Sequence, residues 1–255
     1  MPSSNKVAIV TGSATGAGAA IALALADKGY NVVINYTKSL KEAEETEAAC
    51  AAKGVETLLF QGDVSKDEDC RAMAKAAHDK WGRLDALVNN AGRTKFVAHG
   101  DLDGLSAQDF HDIYAVNTIG AFLMTRAATP YMKETGKASV VMISSVAGTH
   151  GQGSSIAYAA SKGALNSMTK ALARTLGPEI RVNAICPGFI ETRWLLQGYG
   201  EEKYDLFKKK LKNSVPLKAV CQPEDIADAA LLFIEGGNMI TGELIIVDGG
   251  MHLGG

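Results

Sequence analysis

The chain has 255 residues, 47% of them hydrophobic and 21% charged, a balance that excludes disordered and collagen-like polymers and suffices for one sizeable core. Lys and Arg number 26 against 28 Asp and Glu, a formal net charge of −2, and the basic residues are dispersed except at Lys208, Lys209, Lys210 and Lys212, so no nucleic-acid partner is expected. Apolar runs stay far short of the roughly 20 residues that cross a bilayer as a helix. Residues 1–10 hold no charged leader followed by a long apolar segment, so neither a membrane span nor a secretory signal is expected. Cys50, Cys70, Cys186 and Cys221 lack paired spacing, which points to a reduced, cytoplasmic setting.

In chain order, strands are predicted over 7–10, 32–34, 57–60, 84–88, 139–143, 182–185 and 244–247. They read as unbroken apolar runs rather than apolar/polar alternations, as strands buried on both faces do. Helices are predicted between them over 16–28, 40–53, 66–80, 107–132, 156–176 and 224–235. Capping boxes are expected at Ser65 and Ser106, and Pro223-Glu224-Asp225 suits a first helical turn. This alternation predicts an α/β fold: one Rossmann-type, doubly wound parallel sheet of about seven strands, in a single domain spanning 1–255. Residues 188–222 interrupt the pattern with Gly198, Gly200 and a charged helical stretch over 201–212, beyond a strand's C-terminal end, and are expected to form a small substrate lid.

The first strand runs into Thr11-Gly12-Ser13-Ala14-Thr15-Gly16-Ala17-Gly18 and then directly into a helix. Glycines let a pyrophosphate approach the backbone, and a helix N-terminus offers unpaired N–H groups with about half a unit of positive charge, so a dinucleotide is the natural ligand. At the end of the second strand, Asn35-Tyr36-Thr37-Lys38-Ser39 has no acid to hold a ribose hydroxyl. Lys38 offers a cation for a 2′-phosphate, with Ser39 and Asn35 as further polar contacts, so NADP(H) is favoured and NAD(H) remains possible. Tyr158 and Lys162, four apart on a predicted helix, project from one face. A cation about 4 Å from a phenolate, at an effective dielectric of about 20, contributes around 4 kcal/mol, enough to bring a tyrosine from near 10 toward neutral pH.

These residues, with others at suitable distances, resemble the short-chain dehydrogenase/reductase family over almost the whole chain. The series is Thr11-Gly-x-x-x-Gly-x-Gly18, Asp63-Val64, Asn89-Asn90-Ala91-Gly92, Asn117, Ser145, Tyr158-x-x-x-Lys162, Pro187-Gly188 and Asp248-Gly249-Gly250. Ala17, where the family carries a larger aliphatic residue, and Thr15, where many NADP-using relatives carry a basic one, depart from the pattern. The resemblance implies a cofactor site of Gly12, Ser13, Thr15, Gly16, Ala17, Tyr36, Lys38, Asp63, Val64, Asn90, Ala91, Gly92, Tyr158, Lys162, Pro187, Gly188, Ile190 and Thr192.

The resemblance also implies roles. Tyr158 exchanges a proton with a substrate oxygen that Ser145 also bonds, Lys162 holds the nicotinamide ribose and lowers the tyrosine pKa, and Asn117 holds a water that supplies protons to the lysine. The step of thirteen residues from Ser145 to Tyr158 selects Ser145 over its neighbour Ser144. The implied activity is hydride transfer between NADP(H) and a carbonyl or secondary alcohol, with 3-oxoacyl thioesters the best-known substrates among relatives of this look. An NAD-dependent sugar, polyol or steroid dehydrogenase and a catalytically silent dinucleotide-binding protein stay open as alternatives. Pocket walls are expected from 94–99, 150–155 and 189–211, with Trp194, Leu195, Leu196, Tyr199, Tyr204 and Phe207 favouring a substrate with an apolar portion. Small residues along 156–176, with the helix ending near Met132, resemble the faces through which relatives form tetramers or dimers. His78, His99, His111, His150 and His252 lack ligand spacing, so no metal is expected.

Overall fold

A computed structural model describes residues 5–253, so the first four residues read for a signal lie outside it. Seven strands form one wholly parallel sheet: β1 (Val7–Val10), β2 (Asn31–Tyr36), β3 (Thr57–Gln61), β4 (Ala86–Asn89), β5 (Ala138–Ile143), β6 (Ile180–Pro187) and β7 (Leu244–Val247), in the order β3-β2-β1-β4-β5-β6-β7. Successive residues of one strand serve opposite layers, which is why both must be apolar. Val7 and Ile9 face one core with Met73, Trp81, Met124 and Leu165, whereas Ala8 and Val10 face the other with Ile21, Leu25, Ile226 and Phe233. The first layer is covered by α3 (Asp67–Trp81), α5 (Ala121–Thr135) and α7 (Ile156–Leu176), the second by α1 (Gly16–Asp27), α2 (Leu40–Ala51) and α10 (Pro223–Glu235).

Three sequence expectations need correction. The helix expected over 107–132 is α4 (Ala107–Tyr114), a wider π turn over Ala115–Gly120, and α5. Apolar spacing does not register the extra residue that a π turn inserts, and such turns gather at functional sites. The Ser65 capping box does not form: the hydroxyl and N–H of Ser65 both donate to Asp63 Oδ1, at 2.7 and 2.9 Å, and α3 starts at Asp67. At Ser106 the box forms with Asp109. The 188–222 segment holds two helices rather than one, α8 (Arg193–Tyr199) and α9 (Glu201–Ser214), and the short α6 (Ala147–His150) was not expected.

Because β2 and β4 flank β1 on opposite sides, connections leave the sheet in opposite directions there and a crevice opens at the strands' carboxyl ends. Asn35 at the end of β2 braces it. Its Oδ1 accepts from Gly12 N at 3.0 Å, and its Nδ2 donates to the carbonyls of Phe60 at 3.3 Å and Gly62 at 3.0 Å. The expected contact of Asn35 with a ligand is therefore corrected: the side chain is buried and its bonds join three loops. Asn35→Asp, which removes both donors and sets a carboxylate against two carbonyls, is expected to cost about 2–3 kcal/mol, read as a lower midpoint in urea unfolding.

Candidate active site

At the β1–α1 turn the hydroxyl of Thr11 accepts from the backbone N–H groups of Asn90 and Ala91, at 2.9 and 3.0 Å. Asn90 Nδ2 donates to the carbonyls of Thr11 at 2.9 Å and Gly12 at 3.0 Å. Ser13 Oγ donates to Val10 O at 2.7 Å and accepts from Asn35 N at 2.9 Å, while Ser13 N donates to Asn35 O at 2.9 Å. The side chains of Ser13 and Asn90, expected to touch the cofactor, thus carry the loop from within. Gly12 has φ +61°, and a Cβ there would stand 3.0 Å from Ala91 Cα; one on Gly18 would overlap Asn90 Nδ2 and come 2.5 Å from Gly12 O.

Thr15 precedes α1 in extended conformation without capping it, and the first turn of α1 holds no acidic residue. The positive helix end is left facing the glycine cradle, an arrangement that fits a pyrophosphate. Lys38 is exposed beside the partly buried Tyr36, and Ser39 precedes α2 without a cap bond. Asp63 has Oδ1 engaged by Ser65, and Val64 turns its side chain into the core against Gly120. Pro187 and Gly188 close the end of β6 against Val146 and Val247, Ile190 bridges to Cys221, and the methyl of Thr192 lies against Gly16.

On the other side of the crevice, Ser145 follows β5, its Oγ accepts from Ala147 N at 3.1 Å, and it acts on the Tyr158 phenol to oppose the rise of its pKa. Ser144 points inward, donating to Asn166 Oδ1 at 2.6 Å and to Lys162 O at 3.3 Å, so Ser145 is the serine that meets the phenol. Ser155 caps α7 by accepting from Tyr158 N at 3.3 Å, which holds the tyrosine in the first turn. Lys162 lies one turn on, with Nζ 5.7 Å from the Tyr158 ring centre and donating to Ile143 O at 2.8 Å.

Tyr158 is 8% exposed and Lys162 3%. Burial pushes the phenol up to about 12, opposed by the Ser145 bond, and pushes the ammonium down to about 8. Burial is the largest influence on both groups, and the ammonium is turned to the carbonyl of Ile143.

Asn117 sits in the π turn. Its Oδ1 accepts from Arg93 N at 2.7 Å, and its Nδ2 donates to Arg93 O at 2.9 Å and Ser161 Oγ at 3.0 Å. Both amide hydrogens are committed, and the side chain ties the loop after β4 to α7. Ser161 completes the tie by donating to Tyr158 O at 2.7 Å; sequence reasoning passed over it, although it lies inside the Tyr-x-x-x-Lys motif. Phe96, within the 94–99 stretch expected to wall the pocket, packs against Trp194 and Tyr199, and Trp194 in turn against Tyr158. Among the described residues no group of His, Cys, Asp and Glu is arranged to hold a metal ion, and the four cysteines are buried and free.

The Lys162 value sets a sign for stability. Between about 8 and its ordinary 10.5 the unfolded chain holds a proton that the folded chain has released, so this group makes stability rise with pH through that window. Lys162→Met is expected to flatten that rise and to raise the melting temperature at neutral pH, read by calorimetry across pH.

A family model described as enoyl-(acyl carrier protein) reductase matches residues 12–252. The chain is 40% identical over 247 residues to the protein named ketoacyl reductase 2 of the granaticin polyketide synthase of Streptomyces violaceoruber, covering 97% of this chain and 96% of that one. It is 36% identical over 250 residues to the 3-oxoacyl-(acyl-carrier-protein) reductase of Staphylococcus aureus, covering 97% and 98%. A crystal structure described as a short-chain dehydrogenase/reductase from Burkholderia xenovorans superposes with a TM-score of 0.92 at 41% identity, covering 99% of this chain and all of that one. With the sheet order, the uncapped glycine turn and the Ser145–Tyr158–Lys162 grouping, these likenesses establish that the chain belongs to the short-chain dehydrogenase/reductase family and is an NAD(P)-dependent oxidoreductase.

Proposed function

We propose that the protein reduces carbonyl compounds, 3-oxoacyl thioesters among them, with NADPH, and in reverse oxidises the corresponding secondary alcohols. The observation that carries this reading is the meeting of the Ser145 and Tyr158 hydroxyls above Lys162, across the crevice from the open N-terminus of α1. The names of two relatives, a ketoacyl reductase and a 3-oxoacyl-(acyl-carrier-protein) reductase, support the substrate class.

The nicotinamide, when bound, supplies or accepts the hydride. Around neutral pH a phenol with a pKa of about 12 is protonated, which is the form that donates to a carbonyl oxygen gaining negative charge. Ser145 gives that oxygen a second hydrogen bond, and two donors held in a dry site stabilise developing charge more than they would in water. Lys162, anchored at Ile143 O, lies beneath the phenol as the cation on the nicotinamide-ribose side, and Asn117 and Ser161 set the position of its helix. At the adenosine end Gly12, Thr15, Gly16 and Ala17 receive the pyrophosphate. Tyr36, Lys38 and Ser39 take the phosphorylated ribose, Asp63 and Val64 the adenine, and Ala91, Gly92, Pro187, Gly188, Ile190 and Thr192 the nicotinamide half.

The same resemblance reads the chain as one domain working in the cytoplasm as a homotetramer, or a homodimer, with Ile119 of the π turn and Phe122 at the start of α5 exposed for contact. Residues 188–222 act as the lid.

Tyr158→Phe is expected to keep dinucleotide binding, followed by quenching of protein fluorescence, while turnover of a 3-oxoacyl thioester falls at least about 10²–10⁴-fold. Unchanged turnover would remove the phenol from proton transfer. Lys38→Ala is expected to raise KM for NADPH roughly tenfold and leave that for NADH in place; equal effects on both would remove Lys38 from phosphate selection.

A further inference from the structure

The mouth of the crevice is built from rings that interlock. Phe96, in the loop after β4, fills the place of the side chain that Gly198 lacks: a Cβ on Gly198 would overlap the ring and stand 2.6 Å from its Cδ2. Phe96 meets Tyr199 edge to face at 4.9 Å and 75°, and Trp194 at 6.4 Å and 73°. Trp194 in turn meets Tyr158 at 6.0 Å and 66°. The loop of Phe96 is itself pinned, Val97 N donating to Ser154 O at 2.8 Å and Thr94 Oγ1 bonding Ser154 Oγ at 2.6 Å.

Helix α8 buries none of its seven residues. Leu195 and Tyr199 seat the helix on the small cluster of Phe189, Tyr204 and Leu211, and the chain of rings sets Trp194 over the phenol. Trp194 remains 41% exposed while it meets the enclosed Tyr158 edge to face, so part of the indole is presented at the mouth.

We propose that Trp194 is the specificity-determining residue of this enzyme, held over Tyr158 by the seating of Phe96 in the Gly198 notch, and that it selects compounds whose carbonyl lies on or beside a flat unsaturated ring over linear acyl chains. This deepens the carbonyl-reductase reading and rests on it. Aromatic rings favour edge-to-face or offset contact at centre separations of about 4.5–7 Å, the spacing the wall already uses. A flat ring entering beside Tyr158 exchanges one such contact for another and has no internal torsions to lose. A linear chain forfeits rotational freedom on entry and offers the wall no ring edge.

The test measures kcat and KM with NADPH for α-tetralone and for the N-acetylcysteamine thioester of a linear 3-oxo acid. Wild-type enzyme is compared with Trp194→Ala, Trp194→Phe and Gly198→Val, with dinucleotide binding and melting temperature recorded for each. In wild-type enzyme kcat/KM is expected to favour the ring ketone. Trp194→Ala is expected to lower kcat/KM for the ring ketone roughly tenfold more than for the linear substrate, chiefly through KM. Trp194→Phe restores most of the difference. Gly198→Val, which expels Phe96 without altering Trp194 or Tyr158, reproduces the loss. A wild-type preference for the linear thioester, or a ring-to-linear ratio that Trp194→Ala leaves unchanged, overturns the selection while the reductase reading stands. An enzyme that binds NADPH and reduces neither compound overturns both.

Discussion

Between β1 and α1 the chain reverses inside a space bounded by the side-chain amides of Asn35 and Asn90, and the position of every other part of the site follows from how tightly that turn is held. Asn35 ties it to the ends of β2 and β3, and Thr11 and Asn90 tie it to the end of β4. A side chain at Gly18 would have to share the volume of Asn90 Nδ2, so α1 can start this close to the sheet only on a glycine. Since the turn has no acid of its own and no cap on the helix, its polar capacity is directed outward, where an anion is received.

On the far side of the crevice, burial works against two ionisable groups at once. The phenol of Tyr158 is held in its protonated form and the amine of Lys162 is made a weaker base, its pKa pushed down to about 8. The arrangement costs stability and is retained because positions are over-determined. Ser155 fixes the first turn of α7, Ser161 and Asn117 tie that helix to the loop after β4, and Ile143 holds the amine. Donors so held need little rearrangement when an oxygen gains charge, which is how a protein with few polar groups in a cleft can be an effective catalyst.

The helices over 193–214 follow a different rule. They rest on aromatic contacts among Phe96, Trp194, Tyr199, Phe189, Tyr204 and Phe207 and on ion pairs at their margins, Arg193 with Glu42 and Lys208 with Glu191. Exposed pairs of this kind contribute little to stability. The segment over the site is thus held by ring contacts together with a small aliphatic cluster of Leu211, Val215 and Val220, and a difference in substrate is most readily accommodated there.

How much was legible follows from the range of the interactions concerned. Seven largely apolar runs separated by helical stretches made the sheet legible by themselves, because a strand covered on both faces is mostly apolar on both; the spacing of Tyr158 and Lys162 likewise put both on one helical face. The glycine turn was visible because its conformation is a local demand. Only the tertiary structure decided what the polar groups do with one another. Asn35, Ser13 and Asn90 brace the turn, Asn117 spends its amide on Arg93 and Ser161, and the π turn displaces a helix that apolar spacing drew as continuous. Hydrogen-bond partners dozens of residues apart leave no periodic trace. The surroundings of the pair were also beyond sequence: four residues of helix bring the lysine near, but the burial of both groups and the bond of Lys162 to the carbonyl of Ile143 belong to the tertiary structure.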